Sequence, residues 1–419
     1  MKARFGFTAL LALAALAQEP PAYEGREPEA AWRKQAAERI DAIRKAALTV
    51  EVRDANGNPV SGAQLHVRMK RHAYWFGSAV SAEALAKPGS DDDRYRREVA
   101  SLFNCAVLEN DLKWPQWEAD NGRALAGLEW LRRNGITRVR GHNLIWPGWK
   151  WMPAGTRTLS GKPEQLRARI LDHIAEEAQA VRGKVAEWDV VNEPFTNTDV
   201  QKILGDAELI RWYQAAHTAD PAAALFLNDF NILSAGGADS AHQQHFSDTI
   251  QMLIDGAAPL DGIGMQGHFG KRLTAPVRVW EVLDRFAKFG KPIRVTEFDI
   301  NIVDQELQGA YTRDFMTAFF SHPSTTGFLM WGFWEGRHWR PDGAMFRRDW
   351  SLKPNGEVYK DLVFREWWTD LRGATAQDGR LSTRGFLGDY EVDVTWNGVS
   401  KRMAFVLDKA GAQVRVTIP

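Results

Sequence analysis

The strongest constraint on the fold is an alternation of short β-type runs with longer helical stretches between Tyr74 and about Asp370. Such alternation indicates a parallel sheet whose strands are joined by covering helices. Eight strand–helix units across about 300 residues favour a (β/α)8 barrel, an α/β fold, over an open sheet. The predicted strands are Tyr74–Ala79, Asn104–Leu108, Arg138–His142, Glu187–Asn192, Leu225–Asn228, Gly262–Gln266, Ile293–Glu297 and Gly327–Trp331.

Two of these strands stop at a glutamate. The apolar run Trp188–Val191 leads into an Asn-Glu-Pro sequence containing Glu193, where proline bars further strand pairing. The run Ile293–Thr296 ends in the same way at Glu297. Active sites of (β/α)8 barrels lie at the carboxyl ends of the strands. Two carboxyl groups at that face suggest glycoside hydrolysis, which needs one protonated and one ionised carboxyl beside the scissile bond.

Polar side chains follow most of the other predicted strands as well. Ordinary turn and capping residues would be distributed over both ends of the strands, whereas these collect at the carboxyl ends. Their shared position predicts a single polar site. The residues are Glu109, Asn110, Lys113, His142, Asn143, Asn192, Asn228, Asp229, Gln266, His268, Asp299 and Trp331.

In these stretches the chain resembles the family 10 glycoside hydrolases, which are retaining endo-β-1,4-xylanases and their relatives. The resemblance covers about residues 74–370. It rests on motifs in the expected order and spacing: F-G-S-A from Phe76, E-N-D-L-K-W from Glu109, R-G-H-N-L-I-W from Arg140, W-D-V-V-N-E from Trp188, L-N-D-F-N from Leu227, D-G-I-G-M-Q-G-H from Asp261, V-T-E-F-D-I from Val295 and W-G-F-W-E-G-R-H-W from Trp331.

The resemblance implies cleavage of β-1,4-xylan by double displacement, with Glu193 as acid/base and Glu297 as nucleophile. That mechanism needs carboxyl groups about 5.5 Å apart, which two strand ends across a barrel mouth can provide. An ionised Glu297 would raise the pKa of Glu193 by like-charge repulsion. The resemblance also implies that His268 bridges Glu297 and Asp299, and that Asn192 binds the sugar 2-hydroxyl. The substrate-binding residues predicted on this basis are Glu109, Asn110, Lys113, His142, Trp146, Trp149, Gln266, Trp331 and Trp339.

Three departures from the family pattern leave the substrate open. After Trp146 the common pattern has histidine and, two residues further, glutamine, whereas this chain has Pro147 and Trp149. Phe230 stands where tyrosine is usual. The alternatives are a retaining β-glucanase or mixed-linkage hydrolase on the same carboxylates, and a non-hydrolytic polysaccharide-binding protein.

The amino-acid composition limits which classes of binding partner are expected. Lysine plus arginine equals aspartate plus glutamate at 53 each, so no charge excess predicts binding to nucleic acid or to a membrane. Eighteen tryptophans suit a polysaccharide, since sugar rings stack on indoles. No cofactor or metal is expected, because His242 and His245 lack an evident third ligand and the G-x-G-x-x-G run from Gly262 does not open a helix. We expect a monomer.

The first residues predict export. Met1–Ala17 has two basic residues, an apolar run and Ala-Leu-Ala before Gln18, which is typical of a secretory signal peptide cleaved after Ala17. The protein is therefore expected to be secreted or periplasmic. No later run reaches the roughly 18 apolar residues that a membrane-spanning helix needs. The single cysteine, Cys105, allows no intrachain disulfide.

Both ends of the mature chain alternate at period two. Leu48–Arg53 and Ala63–Met69 predict a hairpin, and the residues after Gly388 predict three or four further strands. Neither group has enough strands for a filled sandwich, and the D-A-N-G-N-P-V-S-G-A run from Asp54 resembles carboxypeptidase-regulatory-like β-domains. We predict one small β-sandwich, with the barrel inserted between its second and third strands. The predicted segments are 1–17 for the signal peptide, 18–47 for a linker or helix, 48–70 and 373–419 for the β-module, and 71–372 for the barrel.

Overall fold

A computed structural model describes residues 23–419, so the predicted signal peptide lies outside the described residues. Strands and helices alternate through the middle of the chain, and strands predominate at its ends. The strands are β1 Lys45–Arg53, β2 Gln64–His72, β3 Trp75–Val80, β4 Cys105–Leu108, β5 Arg138–Ile145, β6 Glu187–Asn192, β7 Ala224–Asp229, β8 Gly262–Phe269, β9 Ile293–Ile300, β10 Thr325–Met330, β11 Asp370–Ala374, β12 Arg380–Phe386, β13 Gly388–Trp396, β14 Val399–Leu407 and β15 Ala412–Thr417. The α-helices are α1 Ala31–Arg44, α2 Ala82–Ala86, α3 Ser90–Leu102, α4 Trp114–Arg133, α5 Pro163–Ala180, α6 Gln201–Leu204, α7 Glu208–Ala219, α8 Ser240–Asp255, α9 Pro276–Ala287, α10 Gln305–Phe320 and α11 Pro354–Asp361.

The strands β3 to β10 form a closed parallel barrel. Each pairs with its neighbours in the sequence, and β10 returns to pair with β3. The prediction of a (β/α)8 barrel is confirmed, and every predicted strand overlaps an observed one. Two strands run farther than expected, β8 to Phe269 and β9 to Ile300. As a result His268 and Asp299 are paired across β8 and β9 near the carboxyl ends of these strands, and Glu297 lies at a shift of register just before the paired Phe298.

A buried ion network fills part of the barrel interior below the predicted site. Arg140 on β5 donates to Glu187 Oε1 at 2.5 Å and also pairs with Asp189, and both acids are on β6. Arg294 on β9 reaches the other oxygen of Glu187 at 2.9 Å. Buried charges persist only when they are paired and hydrogen-bonded. The network joins the site because His142 Nδ1 lies 2.9 Å from Asp189 Oδ2.

The two chain ends build a common β-module. One sheet has the order β12-β1-β15 and the other the order β11-β2-β13-β14, so each combines strands from both ends. Val50 of β1 and Val392 of β13 belong to the same hydrophobic core. The predicted small module built from both termini is confirmed. Its carboxyl-terminal part has five strands, β11 to β15, because Asp370–Ala374 also pairs with β2.

Residues 31–44, which the sequence left undecided between helix and linker, form the helix α1. Its buried face carries Trp32 and Ile40. Arg33 Nη1 lies 2.6 Å from Asp314 Oδ1 on α10, and the Tyr23 hydroxyl donates to the other oxygen at 2.8 Å. These contacts attach the segment before β1 to the barrel. No helix between residues 23 and 419 has the length and hydropathy needed to cross a bilayer.

Candidate active site

A cavity of about 600 Å³ opens at the carboxyl ends of the barrel strands. Both glutamates predicted at strand ends line it, together with most of the polar and aromatic residues singled out by the sequence. The lining residues are Glu109, Asn110, Lys113, His142, Trp146, Trp151, Glu193, Phe230, Asn231, Ser234, Gln266, His268, Glu297, Trp331, Trp339 and Arg340.

Glu193 is the first residue after β6. Its φ of 54° is left-handed, which turns the chain out of the strand, while its N–H still donates to Asn228 O at 2.9 Å. Its Oε1 accepts a hydrogen bond from Gln266 Nε2 at 2.9 Å. Burial is the largest influence and raises the pKa of Glu193 to about 7, with the charges of Glu297 and Asp229 adding to it. The expected like-charge repulsion is therefore present but smaller than desolvation.

Glu297 on β9 has the opposite electrostatic setting. Its Oε1 accepts from Asn228 Nδ2 at 2.8 Å, and its Oε2 lies 3.1 Å from His268 Nε2. Burial favours the protonated acid, but the electrostatic interaction with His142 and the bonds from His268 and Asn228 outweigh it. The pKa of Glu297 is held below its usual value, so the carboxylate is ionised.

His268 connects two carboxylates. Its Nδ1 lies 3.0 Å from Asp299 Oδ2, opposite the contact with Glu297. Burial disfavours the imidazolium, yet the charges of Asp299 and Glu297 overcome this and raise the pKa of His268 to about 9. A doubly protonated ring has a donor on each side. Trp339 Nε1 also donates to Asp299 Oδ2, at 2.7 Å, and so ties a wall of the cavity to the same carboxylate.

Two asparagines extend this arrangement toward Glu193. Asn228 Nδ2 donates to Asn192 Oδ1 at 2.9 Å as well as to Glu297, and Asn228 Oδ1 accepts from Thr296 at 2.7 Å. Asn192 is fully buried, and its Nδ2 has no hydrogen-bond partner among the described residues. An unused buried donor is costly unless a ligand satisfies it. Asn192 therefore offers a free N–H₂ group beside the two carboxyl groups.

The side of the cavity formed after β4 carries a second charged group. Lys113 Nζ donates to Asn110 Oδ1 at 2.8 Å. Burial is the main influence on both nearby charges, raising the pKa of Glu109 and lowering the pKa of Lys113. Trp331, just after β10, packs edge-on against His142, with ring centroids 5.1 Å apart.

Trp149 was predicted to bind substrate, but it does not line the cavity. Residues Trp149–Trp151 form a 3₁₀ turn, whose three-residue period points the two indoles in different directions. Trp149 packs against the hydrophobic core, and its backbone N–H donates to Asp199 Oδ2 at 2.9 Å. Trp151 lines the cavity instead and stacks on Trp146, with centroids 3.8 Å apart and planes 7° from parallel. The cavity therefore contains a tryptophan from this loop, but it is Trp151 and not the predicted Trp149.

Comparison with known proteins identifies the family. Residues 64–361 match the profile of glycosyl hydrolase family 10. The chain belongs to this family. It is 32% identical over 376 residues to anti-sigma-I factor RsgI6 of Acetivibrio thermocellus, covering 88% of this chain and 47% of that protein. It is 27% identical over 385 residues to endo-1,4-beta-xylanase 2 of Arabidopsis thaliana, covering 90% and 35%. The chain thus spans about half or less of the length of these curated relatives.

Solved structures of family 10 enzymes share the barrel. Xylanase 10B from Thermotoga petrophila RKU-1, in complex with xylobiose, superposes with a TM-score of 0.64 at 24% identity, covering 70% of this chain and 95% of that one. Native xylanase 10B from Thermotoga maritima gives a TM-score of 0.62 at 24% identity. Because the sequences are only 24% identical, these structures show a shared fold and no more.

Several residues of this family 10 site were not among the predicted site residues. Asn231, Ser234 and Arg340 line the cavity from the loops after β7 and β10. Asn228 was noted at its strand end, but its bond to Glu297 was not predicted. The sequence signal for a site residue was its position just after a strand. That signal does not show which loop residues point into the cavity. No group of three or more His, Cys, Asp or Glu side chains in the described part of the chain is placed to hold a metal ion.

Proposed function

We propose that this protein is a retaining glycoside hydrolase that cleaves β-1,4-xylan. One observation carries the proposal: two carboxyl groups in one cavity have pKa values displaced in opposite directions, that of Glu193 up to about 7 and that of Glu297 downward. A pair separated in this way supplies an acid and an ionised nucleophile at the same pH. Double displacement requires both.

In the first step, Glu193 would donate its proton to the glycosidic oxygen while a Glu297 oxygen attacks the anomeric carbon. The bond to the leaving sugar breaks, and a covalent glycosyl ester forms on Glu297. The ester carries no negative charge, so the repulsion that helps raise the pKa of Glu193 is removed. Glu193, now ionised, takes a proton from water, and the resulting hydroxide equivalent displaces Glu297 from the anomeric carbon.

The surrounding groups suit a sugar in this position. The free Nδ2 of Asn192 supports a hydrogen bond to the sugar 2-hydroxyl beside the cleaved bond. The indoles of Trp331 and Trp339 offer apolar faces to the sugar rings. Xylan is the proposed backbone because several relatives are named endo-1,4-beta-xylanases, including those from Arabidopsis thaliana and the beta-1,4-xylanase of Dictyoglomus thermophilum.

Two alternative functions would use the same cavity. A retaining β-glucanase or mixed-linkage hydrolase would need the same two glutamates. A non-hydrolytic polysaccharide-binding protein is the second candidate, and the similarity to a protein named an anti-sigma factor favours including it in the test.

The test is release of reducing sugar from xylan, β-glucan and xyloglucan by the purified protein, with Glu297→Ala as the matched inactive control. We expect release from xylan above the other two, and proton NMR should show the β-anomer as the first product. Initial release of the α-anomer would overturn retention. Binding to xylan without any release would favour the binding protein.

A further inference from the structure

We infer that Arg340 is a specificity-determining residue that binds the carboxylate of a uronic acid substituent on the polysaccharide. The inference rests on the proposed function and names its substrate class more closely. Arg340 lines the same cavity as Glu193 and Glu297, on the loop that follows β10. Its guanidinium lies over the ring of Trp339, 4.0 Å from the ring centroid.

The donors of Arg340 are largely unused. Its backbone N–H donates to His338 Nδ1 at 3.0 Å, but its side chain donates no hydrogen bond to any residue in the described range. The carboxylate in contact is Asp299, with Nη1 and Oδ1 separated by 3.8 Å, which is beyond hydrogen-bond distance. The other oxygen of Asp299 is already bonded to Trp339 and contacts His268. The side chain of Arg340 is 35% exposed, so its free N–H groups can meet a ligand.

Lys113, the other lysine or arginine among the described residues that line the cavity, has a different environment. Lys113 Nζ donates to Asn110, and its charge faces Glu297, Glu109 and Glu193. Unlike Lys113, Arg340 has a side chain that donates no hydrogen bond to any described residue, so its N–H groups are the unused cationic donors of the cavity lining.

A guanidinium selects for a planar anion. Its N–H groups form a rigid fork that matches a carboxylate with two parallel hydrogen bonds, whereas a sugar hydroxyl can accept only single bonds. Stacking on Trp339 restricts the plane of the fork before any ligand arrives. The β-1,4-xylan backbone is uncharged, so the anion must be a substituent. A sugar substituent that carries a carboxylate is a uronic acid.

The position of Arg340 places this substituent close to the cleaved bond. Arg340 contacts Asp299, Asp299 contacts His268, and His268 contacts the proposed nucleophile Glu297. The same chain of contacts supplies a rival interpretation, in which Arg340 only supports Asp299. A purely supporting role would affect hydrolysis of acidic and neutral substrates equally.

The experiment compares Arg340→Gln and Arg340→Lys with the wild type. Substrates are xylo-oligosaccharides that carry one glucuronic acid and their undecorated counterparts. For Arg340→Gln we expect kcat/KM on the acidic substrate to fall about tenfold relative to the neutral one, since charge-assisted hydrogen bonds are lost. Arg340→Lys should recover part of the ratio. Arg348→Gln, an exposed arginine after the same strand and outside the cavity, is the matched control.

Binding separates this inference from the proposed function. Calorimetric dissociation constants for the same oligosaccharides are measured with Glu297→Ala, with and without Arg340→Gln. An acidic preference that disappears with Arg340 supports the inference even if the wild type hydrolyses nothing. Equal losses on acidic and neutral ligands, or an unchanged ratio, would overturn it.

Discussion

Asn228 donates a hydrogen bond from Nδ2 to Oε1 of Glu297 across 2.8 Å. The donor is held in place because Thr296 bonds to the other end of the same amide at 2.7 Å. A hydrogen bond to an ionised carboxylate stabilises the charged form and lowers its pKa. Asn228 is thus one of the groups that keep Glu297 ready to attack.

Replacing Asn228 with alanine should therefore raise the pKa of Glu297. Activity requires the ionised form, so the acidic limb of the profile of kcat/KM against pH should move upward by about one unit. Asn231→Ala is the control, because Asn231 lines the cavity and bonds to Ser234 and Asp239 rather than to Glu297. An unmoved acidic limb would mean that the histidines alone set this pKa.

The basic limb should come from Glu193. Activity is expected to fall as pH rises through about 7, where the acid loses its proton. Gln266 donates to the ionised form of Glu193, so Gln266→Ala should raise the pKa and shift the limb to higher pH. The Glu193→Gln variant can be assayed on substrates with activated leaving groups, which do not need an acid. If the basic limb is present in the wild type and absent from this variant, Glu193 is the titrating group.

The same shift predicts a change in stability. The pKa of Glu193 is about 7 in the folded protein, whereas an unperturbed glutamate titrates at 4.5, so the unfolded chain loses this proton at lower pH. Stability is therefore lost as pH rises between those two values. Glu193→Gln removes the charge and should be more stable than the wild type at pH 8, by about 3 kcal/mol, with little difference at pH 4. Denaturant unfolding at both pH values measures this, and equal differences would contradict the assigned pKa.

The sequence predicted the barrel and the two glutamates because strand ends carry a local signal. A β-branched run that stops at Glu193 before a proline is readable without knowing the rest of the structure. Other features depend on packing. Trp149 and Trp151 are both tryptophans of one loop, and only the 3₁₀ turn decides which one faces the cavity. The pKa of Glu193 is likewise set chiefly by burial, which a motif does not reveal.

The two tryptophans can be separated by substitution. Trp151→Gln removes the indole that stacks on Trp146 in the cavity, so it should change the ratio of activities on xylan and β-glucan. Trp149→Gln is the matched variant and should leave that ratio unchanged while lowering stability by about 1–3 kcal/mol, since Trp149 packs against the core. Paired kinetics and thermal unfolding check both outcomes. A shifted ratio in Trp149→Gln alone would restore the original assignment.

The β-module should stabilise the barrel without contributing to the cavity. Deleting residues 375–419 removes β12 to β15, and β1 would lose both of its neighbours, β12 and β15. β2 would keep β11 but lose β13. Exposed strand edges and the uncovered faces of Val50 and Val52 should lower the thermal midpoint by at least about 5 °C and admit proteolysis near Leu48.

Affinity for polymer should change little, because β2 leads into the amino end of β3 and the cavity lies at the carboxyl ends of the strands. Val406→Thr, at a position on β14 that is 63% exposed, is the control and should leave the midpoint unchanged. Differential scanning calorimetry, limited proteolysis and xylan binding give the three readouts. If the truncated protein melts with the full-length one, the module does not stabilise the barrel, and a marked loss of xylan binding would instead assign it a role in holding the polymer.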